Sequence, residues 1–150
     1  MSRRGEIQLS ADEQAAFLRE PHKAALATVD NDGFPHVVAM SFLAKDGAIY
    51  MTSYAKAQKV LNARRNPKVA VMVETGQHYA EFHGVMIRGR CEVIEDPALV
   101  AATIREIQAK RAKGESAPSG AVDSAPKRVV LRIVPEKVAT WDHRKLAGRY

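Results

Sequence analysis

Two Asp-Gly pairs, Asp32-Gly33 and Asp46-Gly47, each stand between short apolar runs, and no other feature constrains the fold of this chain as tightly. Glycine reaches the positive φ that a tight β-turn demands, so Asp-Gly between strand-forming residues reads as a hairpin. Ala24-Ala25-Leu26-Ala27-Thr28-Val29 precedes the first turn, Asp30-Asn31-Asp32-Gly33, and a second strand follows over about Pro35 to Leu43. Lys45-Asp46-Gly47 then leads into Ala48-Ile49-Tyr50-Met51-Thr52. The expectation for this stretch is an antiparallel meander of three strands.

The flanking segments add helices and further strands. Ser10-Ala11-Asp12-Glu13 has the S-x-x-E form of a capping box, and a short helix to about Arg19 follows, stopped by Pro21. A helix over Tyr54 to Arg65 is expected from the stripe Ala57, Val60, Leu61 and Ala63, with Asn66-Pro67 ending it. Val69 to Val73 reads as a buried strand, and a hairpin over about Tyr79 to Glu95 alternates Val85, Ile87, Cys91 and Val93 with Arg88, Arg90 and Glu92. Asp96-Pro97 opens a helix to about Ala112, whose buried side is Leu99, Val100, Thr103, Ile104 and Ile107. Lys113 to Ala125, rich in Pro, Gly and Ser, reads as a mobile loop, and Val129 to Val134 and Lys137 to Trp141 as the last strands. Neither an internal repeat nor a domain boundary is visible. The reading is a single mainly-β domain over 1–150, a small barrel of six or seven antiparallel strands with two or three short helices packed outside.

Composition narrows the function classes. With 46% hydrophobic and 27% charged residues in 150, the chain has enough apolar surface to fold, and its apolar runs are far shorter than the roughly 20 residues of a membrane span. No apolar core follows Arg3-Arg4, so no signal peptide is read, and the lone Cys91 excludes an internal disulfide. A cytoplasmic setting is the resulting expectation. The formal charge of +6 favours an anionic partner. Lys56, Lys59, Arg64, Arg65 and Lys68 follow one another without an intervening acid, as a solvated helix face or an anion site would require. Aromatics make up only 6% and do not interleave with basic residues, which argues against a nucleic-acid platform. His78 and His83 lack a third ligand, so no metal is expected. Without a Gly-rich phosphate loop, a G-x-S-x-G elbow or a nucleophile–base constellation, no catalytic side chain is named.

Leu26-Ala27-Thr28-Val29-Asp30, Asp32-Gly33-Phe34-Pro35-His36-Val37-Val38, Tyr50-Met51-Thr52-Ser53, Gln58 to Pro67 and Gly84 to Gly89 recur in order and at close spacing. Together they resemble the flavin- and deazaflavin-dependent oxidoreductases of the pyridoxamine 5'-phosphate oxidase-like, FMN-binding split-barrel superfamily. The resemblance covers most of the chain and implies a homodimer with cofactor sites at the subunit interface. It implies that Thr52, Ser53 and Lys59 hold the cofactor phosphate, where hydroxyls, N–H groups and an ammonium meet at a helix start. It also implies that Pro35 to Ser41 runs along the ring system, with His36, Val38, Met40 and Ser41 as contacts. Met40 reads more readily as core packing than as a ring contact. Arg88 either reaches the cofactor or forms a cross-strand ion pair.

Departures from the family pattern narrow the cofactor. Gln58, not Arg, precedes Lys59, and the C-terminal Arg-Leu-x-Pro segment of true pyridoxamine phosphate oxidases is absent, so oxidation of vitamin B6 is disfavoured. Asn62-Ala63-Arg64-Arg65-Asn66-Pro67 is similar to the branch that uses the deazaflavin coenzyme F420, whose carboxylate tail would be drawn to Asn62, Arg64 and Arg65. The implied activity is hydride transfer from reduced F420 to a small conjugated acceptor. FMN in the same fold is the alternative, and a non-catalytic haem, flavin or tetrapyrrole carrier is a further one.

Overall fold

The structure is a computed structural model that describes residues 3–20, 22–113 and 124–149. Among these residues, seven strands and three α-helices form a mainly-β, curled half-barrel. The strands are β1 (Lys23–Val29), β2 (Pro35–Ser41), β3 (Leu43–Lys45), β4 (Ala48–Tyr54), β5 (Lys68–Thr75), β6 (His83–Ile94) and β7 (Arg128–Asp142). The helices are α1 (Ala11–Arg19), α2 (Gln58–Arg65) and α3 (Pro97–Arg111). All strand pairs are antiparallel, in the order β2-β1-β5-β6-β7-β4-β3.

Local chemistry explains several element ends. The capping box of α1 forms: the Glu13 N–H donates to Ser10 Oγ at 3.2 Å and the Ser10 N–H to Glu13 Oε2 at 2.7 Å. At the β1–β2 turn Gly33 has φ +83°, while Asp30 Oδ1 accepts from the Asp32 and Phe34 N–H groups. Asp96 caps α3 through the Ala98 N–H, with Pro97 at the start.

Pairing departs from the expected meander. β2 pairs with β1, whereas β3 and β4 form their own hairpin at the other end of the sheet order. The break is Phe42, only 1% exposed, where the chain crosses from one sheet edge to the other. Burial of that ring joins the two edges and curls the sheet. The helix expected from Tyr54 begins instead at Gln58, because Tyr54 completes β4 and residues 55–57 turn. No hairpin forms over Tyr79 to Glu95: Tyr79–Glu81 is one 3-10 turn and His83–Ile94 a single strand. Gly89 answers a packing constraint, since a Cβ there would lie 2.3 Å from the Val134 carbonyl oxygen. The two C-terminal strands are one, β7, with a register shift that leaves Glu136 unpaired between Pro135 and Lys137. Most of the expected Lys113–Ala125 loop, residues 114–123, lies outside the described residues.

The main core fills one face of the sheet with Leu26, Phe42, Met51, Val71, Ile87, Leu131 and Ile133, to which α1 adds Phe17 and Leu18, and α2 adds Val60 and Ala63. On the opposite face α3 sets Val100 and Ile104 against Ala48, Tyr50 and Val130. One ion ties these layers together. Lys110, at the end of α3 and 8% exposed, donates from Nζ to the carbonyl oxygens of Leu18 at 2.8 Å and Phe42 at 3.2 Å, and sits 3.6 Å from the centroid of the Phe42 ring.

Burial, with Lys113 nearby, pushes the Lys110 ammonium from its ordinary 10.5 down to about 8. A lysine that holds its proton less tightly when folded lowers stability below about pH 8, and that penalty fades as pH rises toward 10.5. Stability measured by urea unfolding should therefore gain from this residue across that window. Lys110→Met should lose the gain, and an unchanged pH slope in the variant would contradict the assignment.

Candidate functional site

The ends of β2 and β4, the first turn of α2, the second half of α3 and the start of β7 enclose a cleft of about 320 Å³. Met40 and Ser41 enter from β2, Thr52, Ser53 and Tyr54 from β4, and Lys59 from α2. Ile104, Ile107, Gln108 and Arg111 form the α3 wall, and Arg128 arrives from β7. Lys59, Arg111 and Arg128 bring positive charge, and no carboxylate is among the lining residues.

Two of the three cations are placed by identifiable contacts. The β4–β7 register sets Tyr54 opposite Arg128, and the Arg128 guanidinium lies 4.3 Å from the Tyr54 ring centroid. Arg128 Nε also donates to Ser124 Oγ at 2.9 Å. The orientation of α2 is set by Asn62, which is fully buried: its Nδ2 donates to Thr28 Oγ1 at 3.0 Å and its Oδ1 accepts from Gln58 Nε2 at 2.7 Å. The first turn of α2 carries neither a capping side chain nor an acidic residue, so the positive end of its dipole is left uncompensated beside Lys59. Burial, and then the charge of Arg128, push the Lys59 ammonium below its ordinary value. Lys59 and Arg128, crowded into one cleft without a counterion among the described residues, are an arrangement that a bound anion would relieve.

The residues named from sequence divide into groups. Met40, Ser41, Thr52, Ser53 and Lys59 converge in the cleft. Val38 and His36 lie farther along β2, the former bordering a shallow depression and the latter with Nδ1 buried and unpartnered. Three residues of α2 lie outside the cleft. Asn62 is buried and committed to Thr28 and Gln58, Arg64 pairs with Glu95 at 2.6 Å, and Arg65 donates to the Val29 carbonyl, so none of the three lines the cleft. Arg88 also lies outside it, in a separate groove on the sheet. Tyr54, Gln108, Arg111 and Arg128 are additions. Arg128 and Tyr54 meet only through strand register, a signal no local pattern carries, whereas Arg111 sits on the predicted α3 helix one turn beyond Ile107 and was open to a helical-face reading. Among the described residues no group of three or more His, Cys, Asp or Glu could hold a metal ion, and no helix is long and apolar enough to cross a membrane.

Residues 10–142 match the model of a protein family described as pyridoxamine 5'-phosphate oxidase. The chain belongs to this family. Among solved structures it is similar to a conserved hypothetical protein from Mycobacterium tuberculosis, with 35% identity and a TM-score of 0.86 over 98% of this chain and 93% of that one. It is also similar to a protein named F420 reductase, at 26% identity and a TM-score of 0.67 over 83% of this chain and 94% of that one. A FAD-binding protein from Mesorhizobium loti gives 26% identity and a TM-score of 0.66 over 89% and 94%. Comparison with curated proteins gives no match.

The crowding of Lys59 by Arg128 is directly measurable. Arg128→Ala should raise the pKa of Lys59 toward its ordinary value, read from the Cε chemical shift of that lysine. No movement of that pKa would mean that the two charges do not share the cleft.

Proposed function

We propose that this split-barrel protein is an oxidoreductase that binds a phosphate-bearing flavin-type cofactor in the cleft, with the deazaflavin coenzyme F420 as first choice and FMN as second. The observation that carries the reading is the set of Lys59, Arg111 and Arg128 around one cavity that no carboxylate lines among the described residues, beside the uncapped start of α2. Membership of the family and the likeness to an F420 reductase and a FAD-binding protein support it.

In this reading Lys59, the Thr52 and Ser53 hydroxyls and the first N–H groups of α2 hold the phosphate, and Arg128 adds a planar, always-charged donor. Met40 and Ser41 continue the site along β2, whose outer edge carries no further strand among the described residues. Val38 and His36 lie along the same line. When bound, the cofactor supplies a hydride to a small conjugated acceptor. The chain's own residues anchor the anionic end, orient the ring by the strand edge and exclude water with Ile104 and Ile107 of α3. No side chain has to act as nucleophile or base. With Arg64 and Arg65 engaged elsewhere, Arg111 is the cation left to meet carboxylates beyond the phosphate, and this favours F420 over FMN.

Titration with F420 and FMN tests the reading. Lys59→Ala should weaken either cofactor by roughly ten- to a hundredfold with little effect on stability. Arg111→Ala should weaken F420 more than FMN, with a difference that shrinks as salt rises. Binding of neither cofactor, or equal affinity in Lys59→Ala, would sink the proposal.

A homodimer belongs to the same reading. Ala39, Ala25, Met72, Met86 and Ala139 form one row across β2, β1, β5, β6 and β7 on the face away from the main core, joined by Val37, which is 61% exposed. An uncharged row of small and flexible side chains suits isologous packing against a second copy. Light scattering should give a dimer, and Met72→Glu should shift it toward monomer. A monomer for the unmodified chain would count against this face.

A further inference from the structure

On the same face of the sheet, beyond the apolar row, four basic residues stand in two directly opposed pairs. Lys68 of β5 faces Arg90 of β6, and Arg88 of β6 faces Lys137 of β7. Like charges placed directly across an antiparallel pair are destabilising. One such pair is an ordinary imperfection of a surface. Two adjacent pairs set a concentrated positive field on one patch of sheet.

The fold neutralises only part of it. The register shift after Arg88 frees Glu136 from strand pairing, and Glu136 Oε1 reaches Arg90 Nε at 3.0 Å. Among the described residues, no ion pair or hydrogen bond engages the side chains of Lys68, Arg88 or Lys137. The surface there is concave. A groove of about 500 Å³ is lined by Lys68, Arg88, Arg90 and the Glu136 carboxylate that Arg90 engages, with a floor that includes Ala27, Ala70 and Gly89. These small residues leave open space beneath the long cationic side chains, and the volume is within the range of small-molecule sites. The groove shares no lining residue with the cleft.

We infer that this groove is a second anion-binding site, which takes a compact polyanion bearing phosphate or clustered carboxylate groups. Lys68 and Arg88 supply charge from its lining, and Lys137, opposite Arg88 on β7, adds to the field from beside it. The Arg88 guanidinium supplies the planar fork that matches two oxygens of either group. A bound anion turns two repulsive cross-strand pairs into bridged ones, so binding and sheet stability are coupled. The groove uses none of the cleft residues, so it is tested apart from the phosphate site.

The test uses pyrophosphate and citrate as probes at low ionic strength, on Lys59→Ala protein so that binding in the cleft is weakened. Both calorimetry and thermal unfolding are read. The expected result is saturable binding with a rise in melting temperature. Adding Lys68→Gln and Arg88→Gln should weaken that binding at least tenfold, and should raise the melting temperature without anion by removing both repulsions. A preference for pyrophosphate marks a phosphate ester as the ligand, and a preference for citrate marks an oligocarboxylate. Equal affinity before and after the two groove substitutions, or binding of neither probe, overturns the inference. Loss of cofactor binding in Lys59→Ala bears only on the cleft.

Discussion

The Lys110 ammonium is the contact on which the architecture of the cleft depends. It reaches from the end of α3 to the carbonyl of Leu18 in α1 and to that of Phe42, where the chain crosses between sheet edges. Ser41 immediately precedes that crossover, and Gln108 and Arg111 flank Lys110 on α3, so the two walls of the cleft are held through one buried ion. A purely apolar contact could cover the same area but would not fix direction. Two carbonyl acceptors and an aromatic face define where the helix end must lie.

Positive charge is distributed unevenly in consequence. Lys45, Arg64, Arg132, Arg144 and Lys145 each sit beside a carboxylate at 2.6–2.9 Å and are locally neutral. The surplus of basic residues is thereby concentrated around Lys59 with Arg128, and around Lys68 with Arg88, where Glu136 answers only Arg90. Exposed ion pairs contribute little stability one at a time. Their larger effect here is on where the field of the molecule is strong, and so on what it attracts.

Much of this was readable from sequence because it is local. Asp32-Gly33 and the Ser10–Glu13 box announce turns and caps within a few residues, and Thr52, Ser53 and Lys59 lie on one strand–loop–helix passage. Strand order is another matter. That β4 pairs with β7, and not with β2, depends on where Phe42 buries its ring, and Arg128 joins the site only through that pairing. Arg64 and Arg65 looked available because neither Glu95 nor the Val29 carbonyl is adjacent to them in sequence. Asn62 looked polar and exposed for the same reason, although Thr28 gives it a buried partner. A hairpin over Tyr79 to Glu95 and a break between Val134 and Lys137 are what sequence leads one to expect, yet β6 and β7 run on as single strands, with Gly89 serving a close backbone approach and Glu136 a bulge.

The sheet order also bears on how the chain comes together during synthesis. β7 lies between β6 and β4, so the β3–β4 hairpin has no hydrogen-bonded route into the rest of the sheet until residues 128–142 have emerged. Before then, β4 and β6 each present an unpaired edge, and β4 carries the apolar residues Ile49 and Met51. The pairing that completes the sheet is therefore highly non-local, a topology that folds slowly and leaves strand edges open to other chains in the interim. A nascent chain of this design holds the cleft's contributions from β2, β4, α2 and α3 unjoined until β7 delivers Arg128, and its vulnerability to aggregation is set by the delivery of one strand.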